Sequence, residues 1–201
     1  MREAITMSAV AEGSSGLESA TQTQIWRSLD EWPVSARPAR LWAFLSEAGS
    51  LTERLRARAG DLTVQVLSQG HATLSDEDMA LLGAKPDEAG YVRQVFLCGP
   101  AQQPWVYARS VVAGSSEDWL KGLGERPLGD RVFADPAVQR SPIAVAMLEP
   151  RHALHKEALA RLPAQQRTQA MGPLWARRSR LSVDGGHILI YECFLPALAD
   201  A

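Results

Sequence analysis

Two charged side chains sit in segments that leave them no polar face. Arg93 lies in the run 91–98, in phase with Val95 and Leu97, while Val92, Gln94, Phe96 and Cys98 take the other face. Side chains alternate across a strand, so a strand apolar on both faces is covered on both, and Arg93 is expected to point into an enclosed space. A buried guanidinium needs a partner. One reading is a structural salt bridge. The other is a clamp on a ligand carboxylate, which the planar two-pronged guanidinium suits. Glu192 is the counterpart, in phase with Ile188, Ile190 and Phe194, with Leu189, Tyr191, Cys193 and Leu195 opposite. Burial raises a carboxyl pKa unless a cation stands near. Glu192 therefore either pairs with Arg93 or another arginine, or acts as a general acid/base or as an acceptor for a ligand hydroxyl.

Other chemistry-bearing residues are less pointed. Arg177, Arg178 and Arg180 form a basic cluster, with Arg178 and Arg180 on one face if the segment is extended. Such a run is normally a solvated face, with anion binding as the alternative. Arg109 and Arg140 are further cations. His152 and His155 have helical spacing, but no acidic or cysteine partner stands at ligand spacing, so no metal site is expected. The chain has no nucleophile elbow, no Walker loop and no dinucleotide fingerprint after a strand. The six tryptophans read as core. The residues alone describe a buried Arg/Glu site for a small anionic ligand with a polar end.

The elements that must position these residues follow from the periodicity. Pro38 opens a short helix carrying Leu41, Trp42, Phe44 and Leu45. Ser50-Leu51-Thr52-Glu53 has capping-box form and starts a second helix that closes at Gly60. Leu62, Val64 and Val66 alternate as a strand. Ser75-Asp76-Glu77-Asp78 starts a short helical turn. Tyr91 to Cys98 and Trp105 to Val112 form a hairpin. Ser116-Glu117-Asp118 caps a short helix with Trp119, Leu120 and Leu123, and Asp130 to Phe133 make a further turn. Arg140 to Leu148 reads as a strand. Residues 149–171 read as a charged, mostly exposed helix and loop inserted between sheet elements. Trp175 to Val183 and His187 to Leu195 form a closing hairpin around Asp184-Gly185-Gly186. Antiparallel strands with helices packed on them indicate an α+β fold.

Composition bounds the rest. A chain of 201 residues is expected to form one domain, here 25–201, behind a flexible leader over 1–24 that contains Gly13-Ser14-Ser15-Gly16. Hydrophobic residues at 46% and charged residues at 22% exclude a wholly disordered chain. Twenty-one basic against 23 acidic residues, net −2, is not the balance of a nucleic-acid binder. The two cysteines, Cys98 and Cys193, make neither a disulfide framework nor a zinc site and are expected to be reduced and buried. No apolar run approaches the about 20 residues of a membrane-spanning helix, and the N-terminus lacks the apolar core of a secretory signal. A cytoplasmic protein without stable membrane insertion is expected.

At the same residues the chain resembles the chorismate pyruvate-lyases. Three blocks over residues 36–198 carry the resemblance: Tyr91-Val-Arg-Gln-Val-Phe-Leu-Cys98 with Pro104 to Val112; Leu123-Gly-Glu-Arg-Pro-Leu-Gly129 with Arg131-Val-Phe133; and Leu174-Trp-Ala-Arg-Arg-Ser-Arg-Leu181 with Tyr191-Glu-Cys-Phe-Leu-Pro196. The resemblance implies one antiparallel sheet of about six strands, with helical flaps from residues 50–60 and 120–133 over a closed site. It implies conversion of chorismate to 4-hydroxybenzoate and pyruvate for ubiquinone biosynthesis, by a monomer, without metal or organic cofactor, and with tightly held product. It assigns ligand contacts to Arg93, Glu192, the backbone of Leu128 and, where the family has a methionine, to Leu51. Arg140 matches an arginine near the site. Arg93 is then expected to anchor the ring carboxylate and Glu192 to meet the ring hydroxyl, with or without moving a proton. Arg140 or an arginine of the 177–180 cluster would hold the pyruvyl carboxylate. The alternative is a domain of the same fold that binds or senses a hydroxybenzoate without turnover.

Overall fold

The segments whose apolar residues repeat every second position all become strands of one antiparallel sheet. The computed structural model describes residues 25–86 and 88–201; the expected leader over 1–24 lies outside them. The strands are β1 (Arg27–Ser28), β2 (Thr63–Ala72), β3 (Gly90–Cys98), β4 (Pro104–Ala113), β5 (Gln139–Arg140), β6 (Ala144–Leu148), β7 (Leu174–Val183) and β8 (Gly186–Phe194). Their spatial order is β1-β6-β7-β8-β4-β3-β2, with β5 also pairing with β7. Among the described residues the expected six strands are thus eight. The expected strand Arg140–Leu148 is broken at residues 141–143 into β5 and β6, and β1 is added, with two residues, too few to show any period.

Hairpin chemistry sets the register. The β7–β8 turn consists of Asp184 and Gly185, since Val183 pairs with Gly186. Gly185 and Gly186 stand at φ 83 and 147, open to glycine without a Cβ penalty. From this turn one lateral row runs Val95, Ala108, Glu192, Arg177, Val145 across β3, β4, β8, β7 and β6. The adjacent row on the same face runs Arg93, Ser110, Ile190, Ser179.

Helices cover both faces: α1 (Trp42–Leu45), α2 (Leu51–Ala59), α3 (Asp76–Leu82), α4 (Leu128–Val132), α5 (Ala153–Arg161), α6 (Ala164–Arg167) and α7 (Pro196–Asp200). The Ser50 hydroxyl caps α2 by accepting from the Glu53 N–H at 3.2 Å, and Ser75 caps α3 by accepting from the Asp78 N–H at 3.1 Å. The expected helix after Ser116 is only a 3-10 segment, Gly114–Trp119, and Ser116 makes no side-chain cap. Helix α4 starts at Leu128, two residues ahead of the expected Asp130, with Pro127 in extended conformation before it.

One face of the sheet buries Phe96, Tyr107, Val111, Leu189, Tyr191 and both free cysteines against Leu82, Leu154 and Ala158 of α3 and α5. Burial pushes the Cys98 thiol up to about 11, so it stays protonated. Helix α5 is more integrated than its charged sequence implies, because Leu154, His155 and Ala158 are buried. His152 caps it, accepting from the Leu154 N–H, and His155 Nε2 donates to the Gly172 carbonyl at 2.9 Å. The opposite face carries two apolar clusters. One gathers Leu45, Leu55, Leu97, Val106 and Phe194; the other gathers Tyr91, Val112, Leu120, Leu123 and Ile188. Between them lies a polar gap.

Candidate active site

The gap is a cavity with a floor of sheet and a roof of helices. Arg93, Val95 and Leu97 of β3, Ala108 and Ser110 of β4, Arg177 of β7, and Ile190 and Glu192 of β8 form the floor. Leu51 and Thr52 of α2, Pro127, Leu128, Gly129 and Val132 at α4, then Phe133 and Arg140, close it from above. The empty space in it, open mouth included, is about 490 Å³. The two roof helices touch. Arg56 of α2 donates both terminal nitrogens to Asp130 of α4, at 2.9 and 2.7 Å. A Cβ on Gly129 would stand 3.0 Å from the Thr52 hydroxyl, so any larger residue would push that side chain aside by a few tenths of an ångström.

Arg93 is 2% exposed. Its Nη2 donates to the carbonyls of Gly124 and Arg126, at 2.8 and 3.2 Å, while Nε is buried without a partner. Among the described residues no carboxylate pairs with it. Burial lowers its pKa from the usual arginine value, with Tyr91 opposing, because the cation lacks both water and a counter-charge. Among the described residues Arg93 therefore forms no structural salt bridge.

Glu192 does pair with an arginine, but with Arg177, directly opposite it on β7. Arg177 is 1% exposed, and its Nε stands 2.5 Å from the Glu192 Oε2. Its Nη1 donates to the carbonyls of Phe44 and Glu47, at 3.0 and 2.8 Å. Its Nη2 is buried without a partner. Arg140 donates from Nη1 to the Ser179 hydroxyl at 3.1 Å and lies over the Phe133 ring at 5.2 Å. Its Nε is likewise unpartnered. Burial lowers its pKa from the usual value, with Glu192 opposing and Arg177 reinforcing. Three guanidiniums thus share the cavity with one carboxylate, and three buried N–H donors there await acceptors.

All five sequence-named residues, Leu51, Arg93, Leu128, Arg140 and Glu192, line this one cavity. Arg109 does not. It belongs to the opposite face, where it grips Asp78 at 3.1 and 2.7 Å, and Tyr191 donates to the same carboxylate at 2.9 Å. The solvated-face reading of the 177–180 cluster is overturned. Arg178 and Arg180 do share a face, but they pack on α3, through Glu77 and the Leu81 carbonyl, with Arg178 over the Trp26 ring. Sequence reasoning left Arg177 undistinguished within the cluster and missed Thr52, Ser110 and Phe133. A signal for Arg177 existed: counting back from a two-residue turn at Asp184-Gly185 places it opposite Glu192.

The chain matches known proteins over most of its length. Residues 20–200 match the family described as chorismate lyase. A probable chorismate pyruvate-lyase of Aromatoleum aromaticum is 39% identical over 170 residues, covering 81% of this chain and 88% of that protein. One of Pseudomonas aeruginosa (strain UCBPP-PA14) is 38% identical over 182 residues, covering 88% and 93%. A solved structure with a similar trace is the effector domain of PhnF from Mycobacterium smegmatis, at 14% identity and a TM-score of 0.48, covering 74% of this chain and 90% of that one. By the extent of the family match and of these sequence relatives, the chain belongs to the chorismate lyase family.

Proposed function

We propose that the protein eliminates pyruvate from chorismate to give 4-hydroxybenzoate. That it is a carbon–oxygen lyase follows from the family. The observation that carries the substrate is the charge of the cavity. Three guanidiniums oppose one carboxylate, and each carries a buried donor without an acceptor. Chorismate brings two carboxylates and balances that excess.

In this reading Arg93 anchors the ring carboxylate through the edge that Gly124 and Arg126 leave free. Glu192, held by Arg177, accepts a hydrogen bond from the ring hydroxyl that becomes the phenol. The bond between ring carbon and ether oxygen breaks, and its electron pair ends in the new carbonyl of pyruvate. The hydrogen on the hydroxyl-bearing carbon passes to the enolpyruvyl methylene, and the ring becomes aromatic. Atoms and electrons balance without an oxidant or co-reactant. Because aromatisation supplies the driving force, the protein's task is to hold the reactive conformer and exclude water. Arginine donors near the ether stabilise negative charge as it develops on that oxygen. The closed roof retains product, so release limits turnover.

The finer placement is part of the same proposal: a cytoplasmic monomer, one domain over residues 25–201, supplying the aromatic precursor of ubiquinone. Among the described residues no helix is long and apolar enough to cross a membrane. The test is to mix purified protein with chorismate, separate the products by chromatography and measure pyruvate in parallel. Equal amounts of 4-hydroxybenzoate and pyruvate above the spontaneous rate are expected. Saturable 4-hydroxybenzoate binding with no turnover would overturn the lyase reading in favour of a sensing or carrier role.

A further inference from the structure

We infer that Arg177, together with Arg140, forms a second anion subsite that makes the cavity selective for ligands carrying two carboxylates. This rests on reading the cavity as the substrate site and assigns the half of it that Arg93 does not reach. Arg177 divides its donors between fixed partners and the cavity. Nε is fixed on Glu192 and Nη1 on the carbonyls of Phe44 and Glu47. Those two anchors hold the guanidinium plane still. The remaining nitrogen, Nη2, is buried without an acceptor in a residue that lines the cavity. A buried, immobilised, unpaired N–H is costly in the empty protein and is satisfied when an acceptor arrives.

Arg140 repeats the arrangement from the roof side. Its Nη1 is fixed on Ser179, the residue two along β7 from Arg177 and on the same face, and its Nε is unpartnered. Charge gives the same assignment. Glu192 offsets Arg177, a first ligand carboxylate offsets Arg93, and Arg140 is left to a second. Two N–H donors from separate, held guanidiniums suit the two oxygens of a carboxylate. The carbonyls that fix Arg177 belong to α1 and the connector leading to Ser50, the cap of α2. The subsite is therefore built together with the root of the roof.

Binding of two inert ligands tests this without any need for turnover. The probes are 3-(carboxymethoxy)-4-hydroxybenzoate, with two carboxylates, and 3-ethoxy-4-hydroxybenzoate, of similar shape with one. Affinities are measured by calorimetry for the unmodified protein and for Arg177→Lys. Lysine keeps a cation beside Glu192 but cannot also supply the Nη2 donor. The unmodified protein is expected to prefer the diacid by about tenfold or more. Arg177→Lys should remove most of that preference, lowering diacid affinity by more than monoacid affinity, which falls as well because Arg177 holds Glu192. Should Arg177→Lys not fold, Arg140→Met, which has no bond to Glu192, decides by the same criterion. A diacid bound no better than the monoacid, a preference that survives substitution, or equal losses for both ligands overturns the subsite. A protein that shows the expected preference yet releases no pyruvate from chorismate contradicts the lyase reading and leaves the subsite standing.

Discussion

Arg177 and Glu192 face each other across the β7–β8 pair, with the guanidinium Nε 2.5 Å from the carboxylate Oε2. The pairing decides what Glu192 is presented as: a carboxylate fixed in place by a cation, with its remaining lone pairs turned to the cavity. A group so placed is an acceptor first. Replacing Glu192 by Gln removes the charge but keeps the shape and one acceptor. Glu192→Gln is expected to lower kcat/KM for chorismate by about tenfold to a hundredfold without abolishing turnover. Steady-state pyruvate release measures this. Complete loss of activity in a folded variant would instead assign Glu192 an obligatory proton transfer.

Arg93 has no carboxylate partner among the described residues, so its substitution uncovers no stranded counter-charge. Arg93→Ala is expected to weaken 4-hydroxybenzoate binding by about tenfold to a hundredfold. Calorimetry against wild-type protein reads the loss. Because Nη2 also holds the Gly124 and Arg126 carbonyls, the melting temperature should fall as well. Full product affinity in this variant contradicts the anchoring role.

An ion pair joins the two roof helices. Arg56 and Asp130 join α2 to α4 through two hydrogen bonds between side chains that are 39% and 40% exposed. A partly exposed pair of this kind contributes less than about 1 kcal/mol, which bounds the effect at about fivefold. Arg56→Ala should accelerate release of 4-hydroxybenzoate by up to that factor, measured by stopped-flow displacement. The double exchange Arg56→Asp with Asp130→Arg should return the rate toward wild type. Unchanged release in the single variant would remove this tie from the gating of the site.

His152 gives the fold a pH dependence on the face away from the site. Burial lowers its pKa below the ordinary 6.5, with Glu77 opposing and Arg178 and His155 adding to the decrease. The folded state therefore resists a proton that the unfolded chain accepts, and stability is lost as pH falls below about 6.5. Urea unfolding at pH 7.5 and 5.5 should show this loss. His152→Asn keeps an acceptor at the helix cap and removes the titration, so its loss over the same interval should be smaller. An equal loss in both proteins would place the titrating group elsewhere.

Much of the fold could be read from short-range chemistry. The caps at Ser50 and Ser75 fix the starts of α2 and α3, because a serine hydroxyl can satisfy an N–H three residues on. Arg93 and Glu192 were legible because each interrupts a strand that is apolar on both faces. What escaped was decided by register and by distant partners. A three-residue turn at Asp184-Gly185-Gly186 sets Arg178 against Glu192, whereas the two-residue turn sets Arg177 there. A slip of one residue exchanges the faces of the strand, so Arg177 and Arg178 could not be told apart, while the cluster as a whole read as solvated because a run of charges normally is. Arg109 finds Asp78, 31 residues away in sequence, through packing that no local pattern encodes. The two-residue strands β1 and β5 offer no period at all.

The most direct measurement is a crystal structure of the protein with 4-hydroxybenzoate. One molecule is expected in the cavity, its carboxylate within about 3.2 Å of the Arg93 guanidinium and its hydroxyl at hydrogen-bonding distance from Glu192. A ligand bound the other way round, with its carboxylate on Arg140 and Arg177, or one found outside the cavity, would contradict this placement.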